Sequence, residues 1–400
     1  MQNPLILCII LSCLTERAIS ADATRKVSIS YNDQCNIPAC LHPQNGTFNN
    51  LVHVQARGTN DTVHFLWSSI GAPTMLVART THRAKVAIDW AGLLPATKPG
   101  SITFDPPDEV FHASAWLFTK LIEYNDTDDD GLMTAKDACL SHKLDALQWQ
   151  NANATMDDAK GTVTLTSTMS KLGENATLSL HLEAFGEDGR LKSLPHLQHT
   201  ANSSQLDLTL KDLTSDFLNA RFALEMLMVG SSNSSVNLKV ETSIDDEYTP
   251  AVFSTLDMSL SDSPLGSYVQ WKPVSYTLKD RAMENSRHVY EYDLSTDPDE
   301  LSVPNASIAH AYFTQEEMGS AGALNISFGI SKDGFYKMTN YTGWSATFGY
   351  GEAPEEHMTL TVYIVISAGL GIPLVIVVFG GAGVCVSKNR QKKRERLLVN

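Results

Sequence analysis

The chain has 400 residues, 43% of them apolar, and a net charge of −15. That length and apolar fraction suffice for one large or two ordinary hydrophobic cores and exclude a disordered chain. The acid excess argues against nucleic acid as a partner, and it is steeper than the total implies, because the last residues carry about +5 and leave about −20 on the rest.

At the N-terminus, residues 5–14 form an apolar core too short to span a bilayer, and Ala18 and Ser20 suit cleavage before Ala21. Residues 1–20 therefore read as a signal peptide. Short runs rich in β-branched and aromatic residues follow at 27–31, 51–57, 62–68, 74–80, 85–90, 101–104 and 113–124. An acidic, turn-rich stretch leads into a predicted helix at 135–147. Strands resume at 161–168, 177–185, 205–210, 221–229, 235–242, 252–256, 268–276, 289–294, 308–313, 323–330 and 345–350. Without repeating crossover helices, this spacing predicts a mainly β, antiparallel fold. The expectation is an ectodomain of two packed β-sandwich-like units, 21–150 and 151–357, followed by a single transmembrane α-helix. The break between the units falls near 126–160 or, alternatively, in the polar stretch 186–204.

Residues 360–386 contain no ionisable side chain and are long enough to cross a hydrocarbon core, so 359–386 is the predicted span. Lys388, Arg390, Lys392, Lys393, Arg394 and Arg396 follow, which places the tail 387–400 in the cytosol and everything before the span outside it. Ser367 with Gly371, and Gly383 with Ser387, form small-xxx-small pairs of the kind that let another helix pack closely.

Ten N-glycosylation sequons lie on the predicted luminal side, at Asn45, Asn60, Asn125, Asn153, Asn175, Asn202, Asn233, Asn305, Asn325 and Asn340. A coat of this density excludes proteases from loop tips, where nicking concentrates. Only Cys35, Cys40 and Cys139 remain in the lumen, so either Cys35 pairs with Cys40 or one of them makes a longer link to Cys139, and one thiol is left over.

Residues 126–137 match the oxygen-ligand spacing of a calcium loop, with Asp126, Asp128, Asp130, Thr134 and Asp137 supplying side chains, Gly131 at the turn and Leu132 a carbonyl. A solvated acidic loop is the competing reading. No Gly-x-Ser-x-Gly, His-Glu-x-x-His, phosphate-loop or dinucleotide motif is present, and no other cofactor is implied. Asp245, Asp246 and Glu247 are adjacent, so an extended chain turns them to alternate faces.

Three strings carry a resemblance. Residues 50–60, Asn-Leu-Val-His-Val-Gln-Ala-Arg-Gly-Thr-Asn, run into Val63-His64-Phe65-Leu66-Trp67-Ser68-Ser69-Ile70-Gly71. Further on come residues 243–253 and Gln270-Trp271-Lys272-Pro273-Val274-Ser275-Tyr276. Together with the order of signal, sequon-rich ectodomain, span and short tail, they resemble the glycosylated lysosomal membrane protein family. The resemblance implies a non-catalytic lysosomal type I accessory subunit. It would pair with a major-facilitator-superfamily transporter of dipeptides and shield it from luminal proteolysis. This tail has no tyrosine; its sorting candidate is the dileucine Leu397-Leu398, with Lys393 where such signals carry an acid. The alternative is a cell-surface adhesion or receptor ectodomain.

Overall fold

The computed structural model describes residues 24–94, 97–156, 160–231, 235–242, 253–260, 266–297, 301–314, 319–355 and 360–398. The expected signal peptide, the sequon at Asn233 and the string 243–252 lie outside them. In chain order the strands are β1 (Lys26–Tyr31), β2 (Leu51–Arg57), β3 (Thr62–Ser68), β4 (Thr74–Thr80), β5 (Lys85–Ile88), β6 (Ile102–Asp105), β7 (Val110–Asn125), β8 (Cys139–Lys143), β9 (Gln148–Trp149), β10 (Asn153–Met156), β11 (Lys160–Thr168) and β12 (Thr177–Phe185). They continue as β13 (Gly189–Arg190), β14 (Gln198–His199), β15 (Ser203–Lys211), β16 (Ala220–Gly230), β17 (Val236–Thr242), β18 (Ser254–Leu260), β19 (Ser267–Trp271), β20 (Val274–Tyr276), β21 (Ser286–Glu291), β22 (Ser320–Phe328) and β23 (Tyr341–Tyr350). Four α-helices accompany them among the described residues: α1 (Pro38–Leu41), α2 (Trp90–Leu93), α3 (Ile308–Tyr312) and α4 (Leu360–Leu398).

The mainly β, antiparallel reading is borne out. One layer runs β1-β2-β3-β4-β7-β16-β22-β21, with β8 along the second half of β7. The other runs β10-β11-β12-β15-β23, with β19 and β20 side by side on the far edge of β23 and β18 beyond β19. The layers form one ladder, because β21 pairs with both β20 and β22. The two halves of the chain are interleaved: β16 and β22, from after residue 150, complete the first layer. Residues 24–241 and 254–354 accordingly belong to one compact unit.

Alternation dictates which face each strand buries. Leu178, Leu180 and Leu182 of β12 and Leu206, Leu208 and Leu210 of β15 point inward against Val52, Val54, Phe65 and Trp67 of the first layer. Aromatic contacts tie the layers: the rings of Trp116 and Phe348 lie 5.4 Å apart, and those of Phe118 and Trp344 lie 6.5 Å apart. The first layer also buries its outer face. Leu66, Leu76, Leu117 and Val229 meet Trp90 and Leu93 of α2 and Ile308 and Phe313 at α3. This is why every residue of β3 is buried.

Three local expectations are corrected. The predicted helix at 135–147 is replaced by turns and by β8, which pairs Cys139–Lys143 with β7; the hydrogen-bonding edge left by β7 outweighs a short amphipathic pattern. The predicted strand at 308–313 is helix α3, capped by Ser307, whose hydroxyl accepts from the His310 amide. Periodicity does not separate so short an apolar run into strand or helix. The run 268–276 is two strands, because Pro273 has no N–H for the ladder.

Because both cores belong to one unit, Trp344→Ala should cost about 3–5 kcal/mol and Leu180→Ala about 2–5 kcal/mol, each in a single unfolding transition. Exposed Leu218→Ala should stay within about 0.5 kcal/mol. Denaturant titration of the ectodomain measures all three.

Candidate functional site

The acidic stretch after β7 folds around an arginine that the sequence reading did not single out. Arg221 opens β16, is 1% exposed, and donates through Nε to Asp126 Oδ2 at 2.6 Å, through Nη1 to Asp333 Oδ1 at 2.7 Å and through Nη2 to Asp129 Oδ1 at 3.0 Å. A further bond reaches the Ile330 carbonyl at 2.9 Å, and the guanidinium stacks 4.7 Å from the Phe335 ring centre. Burial alone would lower its pKa. The hydrogen bonds to Asp333 and Asp126 outweigh that and hold it above its ordinary value.

The other candidate calcium ligands turn to local donors. Asp126 also accepts from the amides of Asp130 and Gly131, Asp130 from the Leu132 amide, and Asp137 from the amide and hydroxyl of Thr134. Asp128 is exposed. The helix expected after the loop is absent, and no group of three or more His, Cys, Asp or Glu side chains converges in metal-holding geometry among the described residues. The donor set does not fit calcium, because Arg221 takes the central position. Gly131 sits at φ +83°, where a Cβ would lie 3.0 Å from the Ile330 Cα, so only glycine lets loop 126–131 press against loop 329–335. An arginine near the start of a strand whose one other charged residue is Glu225 is the sequence signal for this clamp.

The signature strands β2 and β3 place two histidines side by side in the outer core. His53 Nε2 and His64 Nδ1 are 2.9 Å apart, and His64 Nε2 lies 3.0 Å from Thr80 Oγ. The Thr80 hydroxyl donates to the Thr81 carbonyl, so His64 Nε2 must donate to Thr80 and His64 Nδ1 must accept from His53. Burial depresses His53 to about 4, and burial followed by the charge of its neighbour depresses His64 to about 3. Asp257 behaves oppositely: burial raises it to about 6.

Of the nine described sequon asparagines, Asn45, Asn60, Asn153, Asn175, Asn305 and Asn340 are exposed, whereas Asn125, Asn202 and Asn325 are half-buried. Cys35 and Cys40 form a disulfide with a Cα–Cα distance of 6.1 Å, and Cys139 is an exposed free thiol. Helix α4, taken by itself, contains within Thr361–Arg394 an 18-residue window of mean hydropathy 2.6. It places Ser367 one turn from Gly371, and Gly383 one turn from Ser387, each pair on a face of its own. The helix continues past residue 386 through the basic tail to Leu398, because nothing between breaks it. Leu397 and Leu398 therefore lie in its last turn.

Two outcomes follow. Arg221→Met should cost about 3–5 kcal/mol by stranding buried carboxylates, with partial recovery when Asp126→Asn and Asp333→Asn are added; calcium chelation should leave the wild-type melting point unchanged. For the histidines, the folded pKa values lie below the unfolded value near 6.5. Their stabilisation is complete above about pH 6.5 and falls by about 1.4 kcal/mol per histidine per pH unit down to about pH 4. Asp257 offsets part of this below about pH 6, as it protonates. Stability measured against pH should flatten in the His53→Gln, His64→Gln double variant.

Residues 50–391 match the family described as Glycosylated lysosomal membrane protein. A zebrafish (Danio rerio) protein of that name is 33% identical over 377 residues, covering 91% of this chain and 89% of the relative. Glycosylated lysosomal membrane protein B of Xenopus laevis is 32% identical over 372 residues, with 90% and 89% covered. The human protein is 29% identical over 390 residues, with 95% and 92% covered. On sequence matches of this extent, the chain belongs to the glycosylated lysosomal membrane protein family.

Proposed function

We propose that this lysosomal membrane glycoprotein is a type I, non-catalytic accessory subunit that stabilises a major-facilitator-superfamily transporter of dipeptides and shields it from luminal proteases. The observation that carries the reading is the surface of the β unit. Sequon asparagines stand exposed in the loops after β2 and before β12 and β23, and at the start of β10, on a scaffold built mainly of antiparallel ladders. Loops are where proteases cut, so glycans there protect the chain and whatever it covers. Several carboxylates are committed to structural ion pairs: buried Asp61 with Arg25 and Arg79, and half-buried Glu225 with Lys120 and Asp207 with Arg281. That supports a scaffold role over acid–base chemistry.

Helix α4 is the second contact element. Its small-residue pairs offer smooth faces to neighbouring helices within membrane lipid, and the basic residues after the span set the tail in the cytosol.

The test is a mild-detergent pull-down from lysosome-enriched membranes, comparing the native chain with a version whose span is polyleucine. The expected result is recovery of a major-facilitator transporter that weakens with the replaced span, and faster luminal degradation of that transporter when this chain is removed. Failure to recover a transporter, with the chain residing at the plasma membrane, would sink the proposal and favour an adhesion or receptor ectodomain.

A further inference from the structure

The outer face of the first layer holds a groove of about 480 Å³ between the part covered by α2 and α3 and the part covered by the acidic loop. Its floor is two adjacent rungs of the β16–β22 ladder. Leu227 pairs with Ala323, and Glu225 pairs with Asn325. Leu227, Ala323 and Glu225 all line the groove, so Asn325, two residues along the same strand from Ala323, lies on the same face. Val303 and Pro304 form an apolar wall, and the groove ends at Asn305. Glu225 accepts from Lys120 Nζ at 2.8 Å and from the Thr119 hydroxyl, which fixes its carboxylate in the floor.

Asn325 is also a sequon residue, and its side chain differs from those of the other two half-buried ones. Asn125 Oδ1 accepts from the Asn219 amide and Asn202 Oδ1 from Arg25 Nε. Asn325 Oδ1 is buried and has no hydrogen-bond donor among the described residues, although the residue as a whole keeps partial exposure. A buried acceptor of this kind costs stability unless a donor reaches it.

We propose that the groove seats the first N-acetylglucosamine residues of a glycan carried on Asn325. A glycan leaving Asn325 starts at the edge of the groove, across the ladder from Glu225. The volume lies in the range of small-ligand sites, and the lining suits this sugar. The apolar wall takes the ring face and the acetyl methyl, while the Glu225–Lys120 pair meets hydroxyls. The sugar's own O–H and N–H groups supply the donors that the site lacks. The glycan at Asn325 is thus part of the packed structure, tying segment 301–306 to β16 and β22. Glycans on exposed sequons away from the groove, such as Asn175, remain free in solvent.

Native full-length protein in detergent, expressed in glycosylating cells, is treated with peptide N-glycosidase and followed by site-resolved glycopeptide mass spectrometry. Release at Asn325 should be more than about tenfold slower than at Asn175, because the enzyme must await local opening, and the two rates should converge after denaturation. In hydrogen exchange, Asn325→Gln should speed the amides of Ser302, Val303, Asn305 and Ala306, whereas Asn175→Gln should leave them unchanged. An unoccupied Asn325, equal native release rates, or protection found at Asn305 in place of Asn325 would each overturn the proposal. The wild-type release rates decide it even where Asn325→Gln fails to fold.

Discussion

Trp116 and Phe118 of β7 meet Phe348 and Trp344 of β23, and that aromatic seam between the layers is what the rest of the unit depends on. Strand β7 is the longest of the described strands, and it collects β4, β8 and β16 along its edges. Strand β23 collects β15, β19 and β20. Each layer is thus assembled around one of the two partners in the seam. Remove the contact and neither layer has a face to bury, because an antiparallel sheet with one wet side is stable only when the other is covered.

With the core fixed in this way, the chain's abundant acid has to be accommodated at the edges and loops. The structure does so by internal neutralisation at a few points. Arg221 draws Asp126, Asp129 and Asp333 together, and Arg25 and Arg79 share Asp61. Such pairs hold their positions because breaking one leaves an uncompensated charge out of water. The stacked histidines of β2 and β3 solve the reverse problem. Held neutral by burial, they stay uncharged at acidities where exposed histidines carry protons. The outer core of the first layer thereby stays free of new charge as pH falls.

Much of the ladder was legible before any coordinates. The predicted bounds of β2, β3, β4 and β12 coincide with the observed strands, because each alternates or runs apolar between clear turn residues. What was not legible was long-range. Nothing near Arg221 in sequence announces Asp333, which lies more than a hundred residues away, and the acidic loop taken alone resembles a calcium site. The stretch 135–147 has a helical pattern locally and becomes β8 only because β7 offers it an edge. The interleaving of β16 and β22 into the first layer is likewise a tertiary choice, invisible to a reading that seeks domain boundaries in composition. The sequons could be found by inspection, but which asparagines stand free and which lie along a groove depends on strand pairing.

One consequence of the β23 position concerns mechanics. The chain leaves the β unit after Pro354, shortly beyond the end of β23, a strand hydrogen-bonded on both edges. A pull applied along β23 itself would load its lateral hydrogen bonds together, in shear. An edge strand would instead be peeled away one bond at a time. Strand β23 thus meets such a pull with its whole ladder and with the aromatic seam it carries.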